Sequence, residues 1–131
     1  MPRANTPPRK ISESQGGPGW YDEGVSRQVS NALRALAARL GERFSDRLGM
    51  VRLFGSHARG DAHEESDVDV LVVIEAPSWA ERAAAADLAT EVSFASGLCL
   101  SAVVLSREEL EQRIRSDSSF IRSVLDEGHA P

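Results

Sequence analysis

Cys99 is the sole cysteine among 131 residues, so neither an intramolecular disulfide nor a cysteine-cluster zinc site can form. Lysine is as scarce: Lys10 is the single one among fifteen basic residues. No lysine is thereby left for chemistry in a folded core, and the phosphate-binding pattern GxxxxGK(S/T) is absent. No apolar run approaches the roughly 18 residues of a membrane span. The first residues, with Pro, Asn, Thr, Arg and Lys among them, lack the apolar stretch of a signal peptide. A cytoplasmic protein away from membranes is expected. Positive charge is not in excess either, since twenty acidic residues give a net charge of −5. Coating nucleic-acid backbone relies on many basic contacts to phosphate, so no general nucleic-acid binding is expected.

What is present suits a packed domain, with 41% hydrophobic residues. Residues 1–19 hold four of the six prolines, three glycines and three basic residues, which predicts a flexible tail before a domain over 20–131. Val25, Val29, Leu33, Leu36, Leu40 and Phe44 recur at three- and four-residue steps, predicting an amphipathic helix from about Asp22 to near Gly49. Met50 to Phe54 predicts a short strand, and the β-branched run Asp67 to Glu75 a buried one. Pro77 at an early helical position, then Trp79, Leu88, Val92 and Ala95, predict a helix stopped at Gly97. Cys99 to Leu105 suits a third strand, and Ser106 with Glu109 forms a capping box opening the next helix. Phe120, Ile121, Val124 and Leu125 suit a last helix before Gly128. The expected fold class is α/β (α+β), a small mixed sheet flanked by helices.

One segment stands apart. Along a strand, side chains alternate faces, so Asp67 and Asp69 point the same way, roughly 6.6 Å apart. Two carboxylates opening an otherwise apolar strand repel each other and are costly to desolvate, and a divalent cation relieves both problems. Hard oxygen ligands suit Mg²⁺, which completes its shell with water and substrate phosphate. Just after the preceding strand, Gly55 lets backbone N–H groups approach an anion, Ser56 can donate to a phosphate oxygen, and Arg59 offers a planar fork. Together these describe a metal–triphosphate site.

Gly55-Ser56, ten residues, then Asp67-Val68-Asp69 resembles the GS-x10-D-x-D signature of the minimal nucleotidyltransferases, in the DNA polymerase β-like superfamily. Ala58-Arg59-Gly60 and Ser66-Asp67 match that family's usual wording as well. The resemblance implies a nucleotidyltransferase fold and Mg²⁺-dependent transfer of a nucleoside monophosphate from an NTP, AMP from ATP foremost. By position, Asp67 and Asp69 would be catalytic and hold the metal. Gly55 and Ser56 would hold the β,γ-phosphates, and Arg59 would support that loop or the phosphates. Some relatives are antitoxins that adenylylate a HEPN-type ribonuclease toxin, which implies such a toxin as partner. Others modify small hydroxylated molecules such as aminoglycosides.

The family's active members carry a third carboxylate on the next strand, where this chain has Ser101. Loss of a general base typically costs 10²–10⁴-fold in rate. A second reading is therefore an antitoxin that binds nucleotide but acts by complex formation. Glu91 and Glu75 are alternative carboxylates, each expected to be a solvated charge. His57 and His63 are expected in exposed loops, Cys99 as an inert thiol on a buried strand, and Trp20 and Trp79 packed on the sheet or a partner.

Overall fold

The computed structural model describes residues 26–60, 62, 67–116, 119–128 and 130. The expected tail, Trp20, Val25, Asp61 and residues 63–66, His63 among them, lie outside the described residues. The element order is α1 (Arg27–Phe44), a 3-10 turn (Ser45–Arg47), β1 (Leu48–Phe54), α2 (Ser56–Arg59), β2 (Val68–Ile74), α3 (Trp79–Ser96), β3 (Leu100–Ser106), α4 (Arg107–Arg115) and α5 (Ser119–Glu127). The three strands form one mixed sheet, ordered β1-β2-β3. β1 runs antiparallel to β2, and β2 parallel to β3 through the α3 crossover. The α+β class expected from the sequence is the one observed.

Strand β2 sits in the middle and is apolar on both faces. Val68, Val70, Val72 and Ile74 face α1 and α3, packing with Leu33, Leu36, Leu40, Ala85, Ala89 and Val92. Leu71 and Val73 face the other way, against Leu110 of α4 and Ile121 and Val124 of α5. Alternation along the strand accounts for both layers. Each fully buried leucine contributes about 1.5–3 kcal/mol relative to exposure. Helix α1 follows the predicted periodicity, with Ser26 as its N-cap accepting from the Val29 N–H.

Several boundaries differ from expectation, each for a local reason. Helix α1 stops at Phe44, five residues before Gly49, where Ser45 takes φ +52° and its N–H returns to the Gly41 carbonyl. Gly49 instead lies within β1, at an irregularity in its pairing with β2. Pro77 precedes α3 rather than opening it, because Ser78 is the N-cap and shares a capping box with Glu81. Gly97 does stop α3, at φ +75°. The predicted box of Ser106 and Glu109 opens α4. Trp79 does not pack on the sheet: it is 84% exposed, with Arg82 over its ring. Helix α3 buries its small residues Ala85 and Ala89 instead, which lets it lie close to the sheet and α1.

Candidate functional site

At one end of the sheet β1 finishes, β2 begins and β3 begins. In the β1–β2 register Phe54 is the partner of Asp69, so the turn after β1 falls beside that carboxylate. Gly55 takes φ +79° there, a conformation L side chains rarely adopt. A Cβ at Gly55 would run into the Asp69 carboxylate. The backbone conformation requires glycine, and a side chain there would also displace the Asp69 carboxylate. Ser56 follows at once as the first residue of α2, a single turn whose Ala58 and Arg59 N–H groups both return to the Gly55 carbonyl at 3.1 Å. Ala58 is buried and anchors the turn; Gly60 closes it in the left-handed conformation at φ +82°. The candidate residues Gly55, Ser56 and Asp69 are thus brought together by one strand pairing.

Asp69 is half-buried and on the same face as Leu71 and Val73; Asp67, one residue before β2, is exposed. Burial pushes the Asp69 carboxyl above its ordinary range, and the Asp67 charge pushes it further. The His57 and Arg59 charges pull it back down, so both α2 side chains bear on this carboxylate. His57 is half-buried on α2, in contrast to the exposed loop histidine expected from sequence. Two repelling acids at the edge of an apolar strand are a donor set that fits a divalent cation of the Mg²⁺ type. Among the described residues, no three His, Cys, Asp or Glu side chains gather as metal ligands.

Strand β3 fixes the other side. Its parallel register pairs Asp69 with Ser101, which is exposed at the place the resemblance assigns to a third carboxylate. One step earlier the Val68 N–H donates to the Cys99 carbonyl at 2.8 Å. Cys99 is exposed rather than buried in a strand, because β3 begins only at Leu100. Its thiol lies beside the Asp67 carboxylate, which pushes the thiol pKa up. Sequence reasoning missed this neighbour. The signal was available once the strands are set side by side, since Cys99 precedes Ser101 by two as Asp67 precedes Asp69.

The alternative carboxylates are engaged elsewhere. Glu91 pairs with Arg39 between α3 and α1, and Glu75 lies at the far end of β2, 3.0 Å from Arg107. Both are charges at exposed sites, as expected.

The sequence profile of the nucleotidyltransferase domain family matches residues 33–129. A Methanocaldococcus jannaschii protein named "Putative protein adenylyltransferase MJ0604" is 35% identical over 97 residues, spanning 74% of this chain and 91% of its own. A solved structure of a "putative minimal nucleotidyltransferase" has 29% identity and a TM-score of 0.49, over 81% of this chain and 90% of that one. A toxin–antitoxin crystal structure with AMP-PNP has 22% identity and a TM-score of 0.47, over 72% of this chain and 68% of that one. Among the described residues no helix is long and apolar enough to cross a membrane. The chain belongs to the nucleotidyltransferase domain family.

Proposed function

We propose that this chain transfers AMP from ATP, with Mg²⁺, to a hydroxyl on a partner protein. The observation that carries the reading is the pairing that sets Gly55-Ser56 against Asp69, whose carboxyl is raised by burial and by the Asp67 charge. Asp67 and Asp69 would hold the metal. When bound, the ion would supply charge neutralisation at the phosphates and at the departing oxygen. Ser56 would donate its hydroxyl to a β- or γ-phosphate oxygen, and Gly55 would leave room for the phosphate to approach the backbone. Arg59, exposed on α2, would present its guanidinium to the same phosphates. The acceptor oxygen would form a bond to the α-phosphorus as the α–β phosphoanhydride breaks and pyrophosphate departs, the acceptor's proton passing to solvent or a nearby base.

A protein acceptor is supported by the name of the Methanocaldococcus jannaschii relative, a protein adenylyltransferase. The family resemblance favours a HEPN-type toxin as that protein and an antitoxin role for this chain. A second reading has its own support: Ser101 is the Cα partner of Asp69 and cannot serve unaided as a base. On that reading the chain silences its partner by binding, with the nucleotide site regulatory. Small-molecule modification is a third, and a resistance assay on expressing cells addresses it.

Incubation with α-labelled ATP, Mg²⁺ and the partner separates them. Label on the partner from wild type, and none from Asp67→Ala/Asp69→Ala, is the expected result. Equal transfer by the double variant would sink the enzymatic reading. No transfer by either, with silencing retained by both, would favour complex formation.

A further inference from the structure

The face of the sheet that carries Asp69 is covered unevenly. Helices α4 and α5 cover Leu71 and Val73, while the Asp69 end lies at the edge of that cover. At this border stand two aromatic rings. Phe54 is the Cα partner of Asp69 and packs on the same apolar cluster as Leu71 and Val73. Phe120, in the first turn of α5, meets it edge to face, with ring centroids 5.3 Å apart and planes at 89°.

Phe120 is 37% exposed, whereas the adjacent Ile121 is 1% exposed. Helix α5 is thus secured to the sheet by Ile121 and Val124, and Phe120 is not needed to fill that core. The edge-to-face pairing with Phe54 fixes the orientation of the Phe120 ring, and part of that ring remains open to solvent. The other large aromatics among the described residues, Phe44, Trp79 and Phe94, belong to α1 and α3 on the opposite face of the sheet. Among the described residues, the aromatic surface beside the carboxylates is therefore that of Phe120 and Phe54. Antiparallel partners lie about 4.5–5.5 Å apart at Cα. Phe120 therefore stands one ring contact and one strand pairing away from Asp69.

We propose that Phe120, braced by Phe54, is the stacking platform for the nucleobase of the donor nucleotide. This rests on the reading of Asp67 and Asp69 as the metal–triphosphate end of the site. Stacking on a phenyl face is tolerant of base identity and strongest for the larger ring systems. The platform therefore gives a graded preference for purine over pyrimidine nucleotides, without hydrogen-bonded base readout.

The test compares ligands with and without a base on the full chain. Dissociation constants are measured calorimetrically in Mg²⁺ for a non-hydrolysable ATP analogue, its UTP counterpart and inorganic tripolyphosphate. Wild type, Phe120→Leu and Phe120→Trp are compared. Leucine keeps apolar bulk against Phe54 and removes the ring face, and thermal melting verifies that each variant folds. For Phe120→Leu the ATP analogue should bind on the order of tenfold more weakly, in line with a lost base–aromatic stack, with tripolyphosphate unchanged. Phe120→Trp should restore or tighten the ATP analogue, and the ATP-over-UTP preference should shrink in Phe120→Leu.

An unchanged ATP-analogue constant in Phe120→Leu would overturn the platform while leaving the metal–triphosphate reading intact. Parallel weakening of tripolyphosphate would also overturn it, by showing a structural effect on the phosphate end. Failure of wild type to bind either triphosphate would overturn both readings.

Discussion

At the end of the sheet where β2 finishes, three arginines are each paired with a carboxylate. Arg47 donates to both Glu81 carboxylate oxygens at 2.8 Å and to the Glu75 and Ala76 carbonyls at 3.1 Å. Arg82 meets Glu109 at 3.0 Å, and Arg107 meets Glu75. Two capping boxes, Ser78 with Glu81 and Ser106 with Glu109, close the helix starts there. At the end where β2 begins, two acids stand together, a glycine is forced to φ +79°, and a thiol leans on a carboxylate. The carboxyls diverge accordingly. Glu81, hydrogen-bonded by Arg47, is lowered to about 2, whereas burial and Asp67 raise Asp69. One end is arranged to hold helices to strands. The other is arranged against its own stability, the usual mark of a site awaiting a ligand.

The largest effect expected from disturbing this contrast is a gain. Ser101→Asp places a third carboxylate beside Asp69 in the β2–β3 register. Label transfer to the partner should rise by about 10²–10⁴-fold, the typical worth of a general base. Unchanged or reduced transfer would show that the serine is not what limits the chain.

Gly55→Ala comes next. The methyl meets the Asp69 carboxylate, and the backbone conformation disfavours any side chain. Backbone strain of this kind costs on the order of 1–3 kcal/mol. Thermal melting should fall, and Mg²⁺-dependent ATP binding should fall with it. A variant that melts and binds like wild type would refute the close approach.

The opposite end should respond in stability alone. Ser78→Ala and Ser106→Ala each remove an N-cap, worth about 1 kcal/mol. Denaturant midpoints should drop for both, with ATP binding unchanged. A binding loss in either would mean the two ends are coupled.

The smallest effect is in pH dependence. A carboxyl lowered in the folded state stabilises fully above its ordinary value of 4.5, and that contribution is lost as pH falls towards about 2. Glu81→Gln should therefore flatten the melting temperature between these limits relative to wild type. Identical slopes would leave Glu81 without a role in acid stability.

The sequence made the layers legible because β2 is a dense β-branched run over seven residues and α1 repeats its apolar positions over five turns. The capping box at Ser106 was legible for the same reason, a local pattern with a local cause. Boundaries set by tertiary pairing were not. Gly49 looks like a helix stop until Leu48 is seen paired with Ile74. Trp79 looks like core until Ala85 and Ala89 are seen on the buried side of α3. At the site, the spacing from Gly55 to Asp69 was readable, but Cys99 beside Asp67 and Phe54 beside Asp69 depend on strand register. A single sequence does not carry register between strands that are far apart in the chain.

One comparison tests the contrast between the two ends most directly. A carboxyl raised by folding contributes stability below the ordinary aspartate range and loses it as pH rises through the folded value, so ionised Asp69 opposes the fold at neutral pH. Melting temperatures of wild type and Asp69→Asn are measured at pH 7.5 without ligand and with saturating Mg²⁺ and a non-hydrolysable ATP analogue. Without ligand the Asp69→Asn variant should melt higher. With Mg²⁺ and nucleotide the order should reverse, because a ligand bound only by the folded wild type raises its melting temperature. Equal melting without ligand, or an equal rise in both proteins with it, would contradict a site in which Asp69 is held at a cost to stability for metal and nucleotide.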